Sequence, residues 1–168
     1  MNLTDKIKSF IYSNIVPSNK RAIGVEIEGL YYDNHFKRLP VNPTDKYSAT
    51  DLLKDIKQAN SIENSFNYSL EPGGQLEWAS GPSISLWDIK KQFDSHVEHE
   101  NSICRANQIN RLYLSVDPLY KPQKIDLIRS KKYESMDKIF QKSGSMGSWM
   151  MRNTTSIQVN IDFTSKQD

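Results

Sequence analysis

Two glutamates, Glu26 and Glu28, lie one residue apart in a segment where apolar and polar residues alternate. In a β-strand, residues i and i+2 point to the same face, so the two carboxylates would lie side by side. Two such charges repel each other, and a hard divalent cation with oxygen ligands relieves the repulsion. The spacing is compatible with a metal site, but for this pair alone a solvent-facing strand is the simpler explanation.

A second group of polar side chains surrounds a pair of glycines further along the chain. Glu71 lies just before the Gly-Gly pair at 73–74. Gln75 and Glu77 follow the pair and share a strand face by the same period-two rule. Glycines allow unusual backbone angles or the close approach of a ligand. A hairpin turn with polar flanks explains the glycines, but it does not explain carboxylates and carboxamides repeated on one face.

A third alternating segment carries Gln158, Asn160 and Asp162 on one face. Three strands with oxygen-rich side chains on one face predict a sheet with a polar concave surface. Such a surface suits magnesium and phosphates better than zinc or copper. Phosphoryl transfer also needs positive charge near the transferring oxygens, and Arg152, just before this segment, is the candidate catalytic anion clamp. An ordinary surface arginine is the alternative.

The histidines and the cysteine give weaker signals. His96 and His99 lie three residues apart on the polar side of a predicted helix, so we expect a solvated face rather than metal ligands. Cys104 is the single cysteine, which excludes an internal disulfide and a multi-cysteine zinc site. We expect Cys104 to be inert and partly buried. The chain has no phosphate-binding Walker loop and no nucleophile elbow.

Composition excludes several classes of function. The 168 residues include 22 Lys and Arg against 20 Asp and Glu, and the lysines are scattered rather than gathered into the basic face that nucleic acid requires. No run of about 18 apolar residues is present. Residues 1–10 lack the apolar region of a secretory signal. We therefore expect no nucleic-acid partner, no membrane partner and a cytoplasmic location.

The elements that must position these residues follow from hydrophobic periodicity. The pattern predicts helices over residues 5–12, 48–59, 83–107 and 132–140, and strands over residues 21–30, 67–70, 75–79, 111–116 and 154–163. Thr4 is the expected N-cap of the first helix, and residues 143–148 are the expected flexible loop. Because strands and helices do not alternate regularly, we expect an α+β fold with a mostly antiparallel sheet and helices packed on one side.

Three of these segments also resemble a known enzyme family. Residues 23–28 resemble the first active-site strand of glutamate–cysteine ligases. Residues 69–77, with their Glu-Pro-Gly-Gly-Gln motif, are similar to a signature of the plant and proteobacterial type, and residues 150–163 are similar to a later block. The resemblance runs through nearly the whole chain. It implies that residues 1–168 are the N-terminal part of a glutamate–cysteine ligase catalytic domain, truncated at the C-terminus.

The resemblance implies a fold related to glutamine synthetase, in which a curved antiparallel sheet holds ATP, Mg²⁺ and glutamate on its concave face. By position in the motifs, the implied metal ligands are Glu26, Glu28, Glu77 and, less directly, Gln158. The implied substrate or phosphate contacts are Glu71, Gln75, Asn160 and Arg152. Ile27 departs from the family pattern, because plant-type members usually have histidine there. Its side chain points to the opposite face, so the metal ligands are retained.

The resemblance implies an ATP- and magnesium-dependent ligation, the first step of glutathione synthesis. The γ-carboxylate of glutamate would be phosphorylated, and the amine of cysteine would then displace the phosphate. Two alternatives stay open from the sequence. One is a related carboxylate–amine ligase with another amine substrate. The other is a non-catalytic fragment, whose open sheet edge would bind a partner chain or the missing C-terminal part of the same enzyme.

Overall fold

A computed structural model describes residues 1–60 and 65–167 as an α+β fold with an open antiparallel sheet. This confirms the expected fold class. The strands are β1 Ile23–Asp33, β2 Asn67–Leu70, β3 Leu76–Ala79, β4 Ile109–Leu112 and β5 Ile157–Ile161. The helices are α1 Leu3–Ser13, α2 Ala49–Ala59, α3 Leu86–Asn107, α4 Lys131–Ser143 and α5 Met146–Asn153, with single 3₁₀ turns at Ser18–Lys20 and Pro122–Lys124. Over the described residues, none of these helices combines the length and the apolar character that spanning a bilayer demands.

The long strand β1 organises the sheet. Along one edge β1 pairs with β3, which in turn pairs with β2. Along the other edge β5 pairs with the first half of β1, and β4 pairs with the second half. All four pairings are antiparallel. The relation of this sheet to that of glutamine synthetase stays a prediction.

The register gives the sheet one apolar face and one polar face. Ile27 of β1 lies opposite Trp78 of β3, and the next pair along the ladder is Glu28 opposite Glu77. Because neighbouring residues on a strand point to opposite faces, these two pairs lie on opposite sides of the sheet. Helices α2 and α3 pack on the apolar side. The buried core there consists of Tyr31, Leu39, Ala49, Leu52, Ile56, Phe66, Tyr68, Leu70, Leu76, Trp78, Ile103 and Ile109.

The start of α2 is fixed by a capping box. The Ser48 hydroxyl accepts the backbone N–H of Asp51 at 3.2 Å, and the Asp51 carboxylate accepts the backbone N–H of Ser48 at 2.9 Å. Both donors would otherwise be unpaired in the first turn. The predicted cap of α1 is wrong, because Asn2 accepts the N–H of Asp5 at 2.9 Å and Thr4 lies inside the helix.

Several element boundaries differ from the prediction, most clearly at β4 and at the loop after α4. Strand β4 covers Ile109–Leu112 rather than residues 111–116, because β5 occupies the adjoining part of the same β1 edge. The expected loop at 143–148 is wrong except at Gly144 and Ser145, because Ser143 belongs to α4 and residues 146–148 belong to α5. Helix α5 begins at Met146, and the break after α4 is confined to Gly144, with φ 145°, and Ser145.

The prediction of a solvated face for His96 is wrong. Its side chain is buried and stacks on Trp78, with ring centroids 5.4 Å apart, and its Nδ1 lies 3.1 Å from the Tyr68 hydroxyl. Burial lowers the pKa of His96 to about 3, so the ring is neutral at pH 7. His99 is partly buried. Cys104 is partly buried as expected, and burial raises the pKa of its thiol to about 12.

Candidate functional site

The polar face of the sheet brings carboxylates from three segments together. Glu28 of β1 lies directly opposite Glu77 of β3 in the ladder. Side chains in such a pair start only about 5 Å apart. Glu26 lies two residues before Glu28 on the same face, and Glu71 lies just beyond the end of β2. We call these four residues the carboxylate cluster.

The turn between β2 and β3 places Glu71 beside this pair. The Glu71 N–H donates to the Gln75 carbonyl at 2.9 Å, and the Gly74 N–H donates to the Glu71 carbonyl at 2.8 Å. Gly74 has φ 80°, a conformation that other residues rarely adopt. A side chain on Gly73 would begin 2.6 Å from the Arg152 Cα. The two glycines are therefore needed for the turn and for its close contact with α5.

Burial and mutual repulsion raise the pKa values of two members of the carboxylate cluster, Glu71 and Glu28. Burial, followed by the charges of Glu77 and Glu28, raises the pKa of Glu71 to about 7. Burial also raises the pKa of Glu28, and the charge of Glu77 adds to that effect. A group of carboxylates with raised pKa values favours any ligand that brings positive charge.

Strand β5 supplies amides to the same face. Gln158 lies opposite Glu26 in the ladder, and its Nε2 donates to Glu28 Oε1 at 3.4 Å. The Asn160 Nδ2 donates to Glu26 Oε1 at 2.9 Å. These two residues therefore lie beside the carboxylates, as the period-two pattern predicts. Asp162 lies beyond the end of β5, and its carboxylate accepts the backbone N–H of Ala22 at 3.0 Å.

Two serines contact the carboxylates, and our sequence analysis missed both. The Ser69 hydroxyl donates to Glu77 Oε1 at 2.6 Å. The Ser156 hydroxyl donates to Glu28 Oε1 at 2.9 Å. The signal was present in the sequence, because Ser69 precedes Glu71 by two residues and Ser156 precedes Gln158 by two residues. The period-two rule extended by one step would have placed both serines on the polar face.

Arg152 and Gln75 lie near the β2–β3 turn, but their side chains bind protein groups. The Arg152 guanidinium forms two hydrogen bonds to Asp137, at 2.6 and 3.0 Å, and Nε donates to the Ile125 carbonyl at 3.1 Å. Gln75 is 1% exposed, and its Nε2 donates to the Thr154 carbonyl at 2.9 Å. These contacts tie the turn to α4 and α5. The roles of both residues toward substrate stay predictions.

The first turn of α4 borders the carboxylate cluster, and nothing in the local sequence pattern indicated this. The positive charge of Lys132 opposes the rise in the pKa of Glu71. Burial and the charges of Glu71 and Glu77 raise the pKa of Tyr133. The Lys132 Nζ lies 5.1 Å from the centre of the Tyr133 ring. A cation and a phenol outside the sheet therefore lie within electrostatic range of the carboxylates.

The carboxylates and amides of the polar face fit a hard divalent cation that keeps part of its water shell. Within residues 1–60 and 65–167, no three acidic, histidine or cysteine side chains form a preassembled metal cage. Magnesium does not need one, since it keeps several waters and binds through one or two carboxylates together with substrate phosphates. The facing pair Glu28 and Glu77 suits that mode. Buried His96 stacks on Trp78, on the other side of the sheet, so it adds no nitrogen donor to the polar face.

These features define an α+β domain with a cluster of carboxylates on the polar face of an antiparallel sheet. Residues 22–167 match the family described as glutamate-cysteine ligase family 2 (GCS2). The chain belongs to this family.

Several named relatives of this chain come from plants. A chloroplastic glutamate–cysteine ligase of Medicago truncatula is 32% identical over 124 residues, which cover 74% of this chain and 23% of the relative. Glutamate–cysteine ligase A of Oryza sativa subsp. japonica, also chloroplastic, is 34% identical over 121 residues, or 70% of this chain and 25% of the relative. The chloroplastic enzyme of Arabidopsis thaliana is 31% identical over 124 residues, with 74% and 23% coverage. The chain thus spans about a quarter of the length of these relatives.

Proposed function

We propose that this chain provides the magnesium- and ATP-binding part of a glutamate–cysteine ligase. The observation that supports this most is the facing pair of Glu28 and Glu77 on a sheet face of oxygen ligands, in a chain that belongs to the ligase family. In the proposed reaction the γ-carboxylate of glutamate is phosphorylated by ATP, and the amine of cysteine then displaces the phosphate. This is the first step of glutathione synthesis.

Within this proposal, the metal ligands are Glu26, Glu28 and Glu77, with Gln158 as a fourth donor through its amide oxygen. Bound Mg²⁺ would neutralise charge on the phosphate oxygens during transfer. The Gln158 amide nitrogen now lies toward Glu28, so the amide must turn over to present its oxygen to a metal. The sheet holds the starting points of these side chains in a fixed relation, which is the preorganisation that such a site requires.

The proposed substrate and phosphate contacts are Glu71, Gln75, Asn160 and Arg152. Glu71 is suited to a cationic group, because its neighbours are carboxylates and a ligand ammonium would relieve the repulsion. Arg152 would first have to leave its ion pair with Asp137 before it could contact a phosphate directly. With that pair intact, Arg152 acts by fixing the position of α5 and the turn beside the cluster.

Two other functions differ from the proposed one. The first uses a different amine substrate, and the second is a non-catalytic role of a chain that needs further segments for activity. A carboxylate–amine ligase with a different amine would use the same carboxylate cluster. A non-catalytic role would follow if residues 1–168 are the N-terminal part of a catalytic domain that works only with further segments. The matched residues cover only about a quarter of each relative, which supports the need for such segments. The cytoplasmic location stays a prediction, and the plant relatives are named chloroplastic.

The test is calorimetric titration of the purified chain with MgATP, followed by a phosphate-release assay with glutamate and cysteine. We expect Glu28→Gln to weaken MgATP binding at least tenfold, because the substitution removes one of two facing charges while keeping the side-chain size. Glu134→Gln, an exposed glutamate on α4, serves as the matched control and should leave binding unchanged. Equal binding by the wild type and Glu28→Gln would contradict the proposal.

The same assay separates the alternatives. Phosphate release that depends on cysteine supports glutamate–cysteine ligation, and release with another amino acid in its place supports the related ligase. MgATP binding without turnover supports the requirement for further segments.

A further inference from the structure

Both members of the facing carboxylate pair are held by a serine from a neighbouring strand segment. Ser69 of β2 lies directly opposite Glu77 of β3 in the ladder, and its hydroxyl donates to Glu77 Oε1 at 2.6 Å. Ser156 lies just before β5 and binds Glu28 of β1. Two serines, from opposite sides of the β1–β3 pair, thus bind the two carboxylates that face each other.

The contact of Ser156 with Glu28 is a clamp on both carboxylate oxygens. The Ser156 backbone N–H donates to Oε2 at 3.0 Å, and the hydroxyl donates to Oε1 at 2.9 Å. The Ser156 carbonyl in turn accepts the backbone N–H of Glu28 at 3.0 Å, which fixes the serine in the sheet. Because the backbone of the clamp is held by the ladder, the plane of the Glu28 carboxylate is held as well.

We propose that Ser156 and Ser69 are positioning residues that orient Glu28 and Glu77 for a magnesium ion bound to ATP phosphates. The inference rests on the proposed function, because it assumes that these carboxylates are the metal ligands. Hydrogen bonds to a ligating carboxylate fix its orientation, and loss of such a partner typically weakens metal binding by about 10- to 100-fold. A serine hydroxyl is suited to this role, since it donates one proton and adds no charge to compete with the metal.

A role limited to folding predicts a different outcome from a role in positioning. Loss of a hydroxyl that only satisfies the carboxylate would lower the urea midpoint of unfolding and leave the affinity of the folded protein unchanged. Loss of a positioning hydroxyl lowers the affinity of the folded protein itself. The measurement must therefore report metal affinity and stability separately.

The experiment is calorimetric titration of the full chain with the magnesium complex of a non-hydrolysable ATP analogue, together with urea unfolding. We expect Ser156→Ala to weaken binding about tenfold, with the remaining backbone N–H limiting the loss, and Ser69→Ala to act in the same direction. Ser156→Thr keeps a hydroxyl and should bind within about threefold of wild type. Ser102→Ala, at an exposed site on α3, is the matched control and should bind as wild type does.

The outcomes separate this inference from the proposed function. If Glu28→Gln loses binding while Ser156→Ala and Ser69→Ala keep it, the carboxylates bind metal without help from the serines, and the inference is overturned alone. If the wild type and Glu28→Gln bind equally or not at all, both fail. If Ser156→Ala is too unstable to titrate, Ser156→Thr against Ser156→Cys decides, because a thiol is a weak donor and should lower affinity.

Discussion

Glu71 experiences burial and the repulsion of three carboxylates, those of Glu77, Glu28 and Glu26, and both effects favour its protonated form. Its pKa is about 7 in the folded chain and 4.5 as an isolated side chain. The folded state therefore binds more protons than the unfolded state between these pH values. Stability from this group is fully present below pH 4.5 and is lost as the pH rises through about 7.

The first prediction concerns this pH dependence. In metal-free buffer, the free energy of unfolding of the wild type should fall between pH 4.5 and pH 8, and Glu71→Gln should remove on the order of 1 kcal/mol of that fall. Urea unfolding at a series of pH values measures it. Glu134→Gln is the control for the loss of a carboxylate in general. A slope that is the same in Glu71→Gln and wild type would contradict the raised pKa.

At the scale of residues, the carboxylates were predictable and their partners only in part. Glu26, Glu28 and Glu77 follow from period-two spacing, which is a local property of a strand. The ion pair of Arg152 with Asp137 joins two helices, and the approach of Lys132 to Glu71 joins a helix to a turn. Such contacts depend on how elements pack, and local spacing carries no information about packing.

The start of α2 is the clearest case of a local sequence signal that fixes an element. Ser48 is fully buried, and its hydroxyl both accepts the Asp51 N–H and donates to the Asp51 carboxylate at 2.6 Å. We predict that Ser48→Ala lowers the free energy of unfolding by about 1–2 kcal/mol, because the Asp51 N–H loses its acceptor and the Asp51 carboxylate loses the hydroxyl donor.

Thr4→Ala is the matched control for this prediction. Thr4 lies inside α1, where Asn2 is the cap, so its loss should change stability by less than about 0.5 kcal/mol. Chemical denaturation of both variants gives the comparison. A Ser48→Ala variant as stable as Thr4→Ala would show that the buried capping box contributes nothing.

At the scale of elements, the alternation of apolar and polar residues was enough to predict β1. The Pro-Gly-Gly turn was enough to predict the β2–β3 hairpin. The end of β4 was missed, because the competing partner for the β1 edge is β5, which lies far away in the sequence. His96 was misplaced for a similar reason. A helical pattern counts histidine as polar, whereas the ring of Trp78 offers a flat apolar surface on which the neutral imidazole stacks.

At the scale of the whole molecule, part of the apolar sheet face is bare. Ile157, Val159 and Ile161 of β5 lie on the side of the sheet that α2 and α3 cover elsewhere, and they are 73%, 57% and 54% exposed. We call these three residues the apolar strip. Contiguous exposed apolar residues on an edge strand favour association with other apolar surfaces.

We predict that the apolar strip binds a hydrophobic dye and lowers the solubility of the isolated chain. The double variant Val159→Thr and Ile161→Thr should reduce dye fluorescence at least twofold, because threonine keeps the strand preference and removes apolar surface. Leu119→Thr, an exposed residue outside the strip, is the control and should have little effect. Dye fluorescence that is unchanged in the double variant would place the apolar binding surface elsewhere.

The pairing of β5 with β1 also sets an order of events during synthesis. The clamp between Ser156 and Glu28 joins residues 128 positions apart, so a nascent chain carries its carboxylates long before the groups that bind them. Contacts of such long range form late, because a large loop must close first. Until β5 has left the ribosome, Glu26 and Glu28 lie on an unfinished edge, without the hydrogen bonds that Asn160 and Ser156 later donate to them.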